Sequence, residues 1–528
     1  MYASVKPTVG RLMIMTDEKT VTKKNIVSIV SKGFMEHQKN VHDEMFLFEY
    51  EKGIQPILNR EKTIRPEINV TVVENNAAKI VDTHVGYCFS NPITFVQRAK
   101  VELDKETDKI KDKDTDGQKD DMKIAVLNKM NQEQKKSSKD IQLARNMFIC
   151  GLGYQMVLPN RKKKAFSPFE IMVLNPLTTF VIYSNDAYRE PMVAVTYFIH
   201  DDGTISLTAY SADYIFTIER GTEPDEYRLN EKIVPNVLEM IPIVEFALND
   251  RMGIFEKVIP IMDAINLVNS DRINDILQHV QSLLWLHNCQ IDGEQKKNLV
   301  DGDGVIMTQS SDGRDAKISY LTQTLNQTEV QTLVNYLQEQ LQQQTSTPSW
   351  QEASGGSTTG AMQLSNGWQC LEIYAKTVEQ LFTEPEMQIL EIETAIMQND
   401  KRDFGGLEDI EISDIEIRFC RTKTYDLVSK TNALVSLLNA GVDGLTAFNT
   451  VGLFTDSQQA WVDSEKIINA IQKKLAAKTE TPKNDTQNPM ANANANTDEN
   501  GNGGVNNQPK DKTEESLQPS KVAGVVED

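Results

Sequence analysis

Apolar residues spaced three and four positions apart predict a series of amphipathic helices along the chain. The first helix is expected to begin near Ile26, and a second to extend from about Asn75 to Val85. The same spacing predicts two longer helices, from about Phe255 to Leu286 and from about Gln327 to Gln344. The remaining faces of the two long helices are polar, so each could line a surface or a channel.

Short apolar runs separated by polar turns predict β-structure in three other parts of the chain. Between Ile171 and Leu229 these runs alternate with turns such as Asp201-Asp202-Gly203, a pattern typical of an antiparallel sheet. Residues 410–420 alternate like a single strand. Asp-Gly turn signals between the two long helices predict a compact β-rich insert. The predicted fold class is therefore α+β.

The chain after the second long helix is predicted to form first a loop and then further helices. Residues 345–360 are rich in Gly, Ser and Thr, which predicts a flexible loop. A third long helix is expected from about Ala361 to Met397, bent or broken at Pro385. Residues 425–475 predict three short helices separated at glycines.

Two segments lack the pattern of a packed core. Residues 101–140 are mostly charged or amide-bearing, with one apolar island near Ile124 to Leu127. Such mixed charge usually indicates a solvated helix or a mobile excursion. Residues 476–528 contain few large apolar side chains and cannot bury enough surface to offset the entropy of ordering. We expect that tail to be disordered.

Composition and charge exclude several classes of protein. The 528 residues suffice for several domains or one large elongated subunit. A formal net charge of −21 excludes an ordinary DNA-binding protein, because such proteins gain affinity when Lys and Arg replace phosphate counterions. Five scattered cysteines without a CxxC pair argue against a zinc site and fit a reducing cytoplasm. The longest apolar runs, such as Leu283 to Leu286, are too short to cross a bilayer, so we expect no membrane partner.

Sequence motifs of common enzymes do not occur in the chain. The phosphate-binding P-loop, the HExxH zinc motif and the GxSxG nucleophile motif are all missing. The six histidines are scattered and show no metal-ligand spacing. We therefore expect no catalytic residues, no cofactor and no metal site.

Several short strings follow one another in a definite order between about Ile26 and Leu475. They are Gly53-Ile54-Gln55-Pro56-Ile57, Asn91-Pro92-Ile93, Gly151-Leu152-Gly153-Tyr154, Ile241-Pro242-Ile243 and Thr359-Gly360-Ala361-Met362. Each string alone is weak, but their ordered succession resembles the portal proteins of tailed double-stranded DNA bacteriophages, of the siphophage type (the head-to-tail connector).

The resemblance implies a portal-type subunit with a defined division of the chain. Its parts would be a wing (1–241 and 398–424), two stem helices (242–281 and 327–344), a β-rich clip (282–326), a tunnel loop (345–360), a long kinked helix (361–397), a helical crown (425–475) and a disordered tail (476–528).

The resemblance also implies a role and a set of partners. About twelve copies would form a ring at the capsid vertex of the virion, after assembly in the host cytoplasm. The ring would nucleate capsid assembly with scaffolding and major capsid proteins. Terminase, a separate ATP-driven motor, would package double-stranded DNA through it, and the DNA would later be ejected. Head-completion or adaptor proteins would dock on it, and the ring itself would not be an enzyme.

Candidate contact residues follow from this division of the chain. An acidic channel repels phosphates at short range, so that DNA can slide without sticking. Lys257 and Arg272 are the candidates for a weak basic ring in the stem. The residues expected to face DNA from the loop are Trp350, Ser354, Gly355, Gly356, Ser357, Thr358 and Thr359; for Trp350, packing under the loop is the favoured alternative. The residues expected to dock partners at the clip are Asp301, Asp303 and Arg314.

Two rival functions remain open on the sequence alone. A scaffold or tail-adaptor protein of a virion could use the same helices only for protein contacts. A nucleic-acid-processing enzyme would need metal- or nucleotide-dependent activity, which the missing motifs disfavour. A membrane-surface protein is disfavoured further, because no basic amphipathic helix is evident.

Overall fold

The computed structural model describes most of the chain up to residue 467. The described residues are 10–63, 66–97, 102–103, 110–111, 117–162, 165–222, 226–280, 283–287, 317–321, 327–349, 367–400, 402, 404, 412–419, 421, 427–454, 460–461, 464 and 467. Apart from residues 464 and 467, all of them lie in one compact unit, residues 1–463.

Nine α-helices are found in the described part of the chain. They are α1 Ile26–Glu51, α2 Asn76–Phe89, α3 Gly117–Glu133, α4 Lys136–Cys150, α5 Ile259–Val280, α6 Gln327–Gln344, α7 Trp368–Asn399, α8 Leu427–Asn439 and α9 Gly444–Val451.

The strands form one large sheet and several smaller ones. They are β1 Ile14–Thr16, β2 Thr94–Gln97, β3 Glu102–Leu103, β4 Ile110–Lys111, β5 Leu152–Pro159, β6 Phe169–Leu174, β7 Thr179–Ser184, β8 Pro191–Ile199, β9 Ile205–Tyr210, β10 Tyr214–Arg220, β11 Tyr227–Leu229, β12 Val234–Pro235, β13 Ile243–Ala247, β14 Leu283–His287, β15 Lys317–Leu321 and β16 Ile415–Arg418.

The large sheet has the order β1-β7-β8-β9-β10-β11, with β12 also paired to β10. All of its pairs are antiparallel except β1 with β7, which is parallel. A three-stranded antiparallel sheet has the order β13-β5-β6, and β14–β15, β2–β16 and β3–β4 form separate pairs. The β2–β16 pair joins residues 94–97 to residues 415–418, which are far apart in the chain.

Two apolar cores lie against the two larger sheets. In the first, Phe34 and its neighbours on α1 pack on the large sheet. Gly33 permits this close approach, because a Cβ atom there would lie 2.7 Å from Ile182 Cδ1. The second core is larger and joins α2, α4, α5 and α7 to the three-stranded sheet.

The structure confirms the α+β class and several predicted elements. The helix predicted from Gln327 to Gln344 has the same bounds in the structure. The antiparallel sheet predicted between Ile171 and Leu229 is present as β7 to β11 of the large sheet, whereas β6 pairs with β5 in the three-stranded sheet. The predicted strand in residues 410–420 is shorter, β16, and a 3₁₀ turn precedes it.

Two local predictions are wrong. The long helix expected to reach Leu286 is described only to Val280, and Leu283–His287 is a strand paired with β15. A run of consecutive apolar residues suits either element, so periodicity alone could not separate them. At Pro385, where a bend or a break was expected, the helix is not broken, because α7 continues through it.

The second wrong prediction concerns the charged segment 101–140. From residue 123 onward this segment is packed rather than solvated, since Ile124, Leu127 and Met130 are buried on one face of α3. A few apolar residues at helical spacing are enough to pack a mostly charged helix against the core. The predicted tail 476–528 and most of the predicted clip lie outside the described residues.

Candidate functional site: a helix pair and the root of a loop

Helices α5 and α6 pack against each other as an antiparallel pair. Arg272 Nε of α5 donates a hydrogen bond to Gln327 Oε1 at the start of α6, at 2.8 Å. Farther along α6, Gln338 Nε2 donates to Glu74 Oε1, and the backbone N–H of Glu74 donates to Asn266 near the start of α5. Residue numbers therefore increase along α6 in the direction in which they decrease along α5, so the two helices are antiparallel.

A ladder of side chains ties an extended segment, residues 68–74, along α5. Its rungs are the buried residues Asn266, Ser270 and Asn274, one helical turn apart. They accept hydrogen bonds from alternate backbone N–H groups of the segment: Glu74 to Asn266 Oδ1 (2.8 Å), Val72 to Ser270 Oγ (2.9 Å) and Val70 to Asn274 Oδ1 (2.8 Å). Four helical residues rise about 6.0 Å, and two extended residues advance about 6.6 Å, so the two repeats match.

Replacing Asn274 with alanine tests the ladder. Asn274 also donates from Nδ2 to Val70 O at 2.9 Å, so the variant leaves both backbone groups of Val70 without a protein partner. We expect the free energy of unfolding, measured by urea denaturation, to fall by about 1–3 kcal/mol. The matched control is Asn335→Ala on the exposed side of α6, which should change it by less than about 0.5 kcal/mol. Equal effects of the two substitutions would contradict the ladder.

The helix pair leaves apolar side chains exposed on both of its members. Ile273, Ile276 and Leu277 share one face of α5, and Leu333 and Tyr336 share one face of α6. These five side chains are between 37% and 57% exposed in the single subunit. Clustered exposed apolar residues of this kind mark protein–protein contacts more often than isolated ones do.

The end of α6 forms the root of the chain segment that follows it. Thr345 Oγ1 donates to Leu341 O at 2.8 Å, and the hydroxyls of Thr345 and Thr347 lie 2.8 Å apart. Both threonines are buried. On the other side, a Cβ atom at Gly367, just before α7, would lie 3.8 Å from Pro348 Cα. Residues 348 and 367 therefore lie side by side, and the segment between them starts and ends at neighbouring points of the subunit.

A small cavity of about 210 Å³ lies beside this loop root. Residues from the segment before α5, from the end of α6 and from α7 line it, including Met252, Thr345 and Tyr374. The ring of the buried His84 packs edge-on against Tyr374, with 5.2 Å between ring centroids. Burial lowers the pKa of His84 to about 4, so this imidazole is neutral at physiological pH.

A buried ion pair fixes the segment that leads into α5. Arg11 Nη2 lies 2.5 Å from Glu256 Oε1, and both side chains are fully buried. Glu256 Oε2 also accepts from the backbone N–H of Gly253 at 2.8 Å. Nearby, burial raises the pKa of Glu44 to about 8 against the opposing charge of Arg11. The beginning of the described chain is thereby anchored at the base of α5.

The structure describes only two of the residues that the sequence singled out as contact candidates. Lys257 is exposed and lies 3.5 Å from Asp250, where solvent screens the pair. Arg272 is half-buried and held by Gln327 and by Gln331 Oε1 at 2.7 Å. The remaining candidates, Trp350, Ser354, Gly355, Gly356, Ser357, Thr358, Thr359, Asp301, Asp303 and Arg314, lie outside the described residues.

The ladder and the buried ion pair were not predicted from the sequence. The polar series Asn266, Ser270 and Asn274, four residues apart in an apolar helix, was a usable signal for the ladder. Nothing near Arg11 in the sequence indicates Glu256 as its partner, since 245 positions separate the two.

Two further searches covered only the part of the chain that the structure describes. Within it, no helix is both long and apolar enough to cross a membrane. In the same residues, no group of three or more His, Cys, Asp or Glu side chains could hold a metal ion.

The exposed apolar side chains of α5 and α6 are typical of a structural subunit that associates with other copies. A family model described as phage portal protein, SPP1 Gp6-like, matches residues 34–442 of the 528. The chain belongs to this phage portal protein family. Membership assigns it a structural role in the virion, in an oligomeric ring at the capsid vertex. A search of curated proteins finds no match.

Proposed function

We propose that rings of this subunit form the conduit through which terminase packages double-stranded DNA into the capsid and through which the DNA later leaves. The ring also nucleates capsid assembly and docks head-completion proteins. The observation that carries the proposal is the helix pair α5/α6. Arg272 links the two helices, and the ladder holds residues 68–74 along α5. The exposed apolar side chains of the pair have no cover within the described part of the subunit, and a neighbouring copy can bury them.

In this proposal α5 and α6 are the stem, and residues 345–360 are a tunnel loop that contacts DNA in transit. The loop root supports this assignment, because both ends of the intervening segment are held beside the stem. Arg272 is bound to two glutamines of α6, so we assign it to joining the helices. Lys257 is exposed and stays the candidate for a weak basic ring.

The net charge of −21 supports a passage in which DNA slides. Each phosphate contact by Lys or Arg strengthens binding and makes it depend on salt. A mainly acidic protein avoids most of these contacts, so DNA meets few positions at which it would be retained. The motor activity then belongs to a separate enzyme.

Electron microscopy of the purified protein, averaged without imposed symmetry, tests the conduit. We expect rings with a central channel wider than a DNA duplex, which is about 20 Å across. Rings with a narrower or closed centre would overturn the conduit and favour a scaffold or adaptor. Deletion of Ser354 to Thr359 tests the loop separately: packaging or retention of DNA should fall, and unchanged values for both would exclude the proposed contact.

A further inference from the structure

A cluster of ionisable side chains lies buried between the start of α4 and the second half of α7. Lys136 Nζ is 2.8 Å from Asp140 Oδ1 and 2.9 Å from Glu386 Oε1. Glu393 follows Glu386 by two helical turns and so lies on the same side of α7. None of these four side chains is more than 4% exposed.

The cluster contains one buried cation and three carboxyl groups, and of these carboxyl groups the half-buried Lys139 of α4 acts only on Asp140. Lys136 can neutralise one carboxylate, and each further buried carboxylate would cost several kcal/mol. Neither side-chain oxygen of Glu393 has a hydrogen-bond partner. The charged groups that act on Glu393 are Glu386, Lys136 and Asp140, in that order. An ionised Glu393 would therefore be an uncompensated buried charge.

The face of the three-stranded sheet that α4 and α7 cover carries a buried amide side chain. Gln155 of β5 is fully buried, and its side-chain atoms have no hydrogen-bond partner. Residues two apart on a strand lie on the same face of the sheet. Gly153, two residues before Gln155, faces Leu143 of α4, so Gln155 also lies on the face that α4 and α7 cover. The cross-strand partner of Gly153 is Phe246, whose ring centroid lies 4.7 Å from that of Phe382 in α7.

Helix α7 has a weak point immediately before the cluster. Pro385 lacks an N–H group, so Leu381 O receives no helical hydrogen bond from that position. The helix is continuous there, and its second half, residues 386–399, carries both buried glutamates. Packing of this half against α4 and the sheet compensates for the missing bond.

We propose that the cluster is a pH-sensitive switch: residues 386–399 of α7 stay docked while Glu393 carries its proton and undock about Pro385 when Glu393 loses it. Helix α7 begins at the loop root, so the switch acts on the same helix that receives the returning end of the loop. The proposal does not depend on whether the ring conducts DNA.

The direction of the pH dependence follows from burial. Burial raises the pKa of Glu386 to about 7, with Lys136 opposing the shift, and it raises the pKa of Glu393 well above its usual range. A carboxyl group whose pKa is raised in the folded state contributes its full stability below its unfolded pKa, about 4.5. That stability is lost as pH rises through the folded pKa. Docking should therefore be firm at pH 5, weaken as the pH rises past about 7, where Glu386 ionises, and weaken further as the pH rises through the raised pKa of Glu393.

Hydrogen exchange of the full chain at pH 6 and pH 8.5, corrected for intrinsic exchange rates, tests the switch. Protection of residues 386–399 should fall at least about 10-fold at the higher pH, the equivalent of one pKa unit. Residues 368–384 should change less than about 2-fold, because their packing does not depend on the cluster. Glu393→Gln should keep residues 386–399 protected at both pH values.

The matched control is Glu391→Gln, an identical change on the exposed side of the same helix, which should respond like the unmodified protein. A second variant, Glu386→Gln, should reduce the response without abolishing it, since Glu393 stays ionisable. Equal responses of the unmodified protein and Glu393→Gln would overturn the switch. An equal loss of protection throughout α7 and the large sheet would overturn it too, because the cluster would then lower global stability only.

Discussion

Replacing Leu277 and Tyr336 with aspartate is expected to turn rings of this protein into folded single subunits. Both side chains are partly exposed and lie outside the buried core of the subunit, so the change should disturb the fold of the single subunit little. Burial of Leu or Tyr at a subunit interface contributes about 1.5–3 kcal/mol each, and a buried, unpaired aspartate opposes association further. The contact between neighbouring subunits should weaken more than about 100-fold. Light scattering coupled to size exclusion measures the result.

Phe198→Asp is the control for this prediction. Phe198 is 68% exposed on β8 of the large sheet, outside the helix pair. It should leave rings intact, and circular dichroism should show the same helix content in all variants. Rings that persist with both stem substitutions would mean that α5 and α6 do not form the subunit interface.

Replacing Arg11 with methionine is expected to reduce the free energy of unfolding by about 3–5 kcal/mol. The substitution keeps the bulk of the side chain and removes the cation beside a fully buried Glu256. That carboxylate would then lie at the base of α5 without its ion-pair partner, and its remaining backbone bond from Gly253 could not compensate for the lost charge. Urea denaturation followed by circular dichroism gives the measurement.

The double variant Arg11→Met, Glu256→Gln isolates the electrostatic part of this effect. It removes both charges, so it should regain much of the stability lost in the single variant. Lys257→Met, next to Glu256 but exposed, should change stability by less than about 0.5 kcal/mol. A single Arg11 variant as stable as the unmodified protein would show that the N-terminal segment does not anchor α5.

The elements predicted best from the sequence are those in which one periodicity persists. Helix α6 keeps its apolar residues at helical spacing for its whole length, and both of its bounds were predicted. The strands of the large sheet alternate between buried and less buried residues, as in β9, and the turns between them are marked by polar residues. The local sequence is sufficient to predict such segments because one face of each element packs against the core.

Predictions failed where tertiary contacts decide the structure. The charged segment containing α3 packs on the core through a few apolar residues, and the strand β14 pairs with residues 30 or more positions away. The helix pair of the candidate site was predictable in outline, since it follows from the spacing of apolar residues. The Arg11–Glu256 pair and the cluster at Lys136 were not, because burial of a charge depends on partners that are remote in the chain.

The root at Thr345 to Pro348 and Gly367 has a consequence for how such a protein can be engineered and can diversify. Since the two ends of the intervening segment are fixed side by side, its length is decoupled from the geometry of the framework. Each doubling of a flexible segment between fixed ends costs only about 0.6 kcal/mol in closure entropy. Substitution, shortening or extension of that segment should therefore cost the framework little stability.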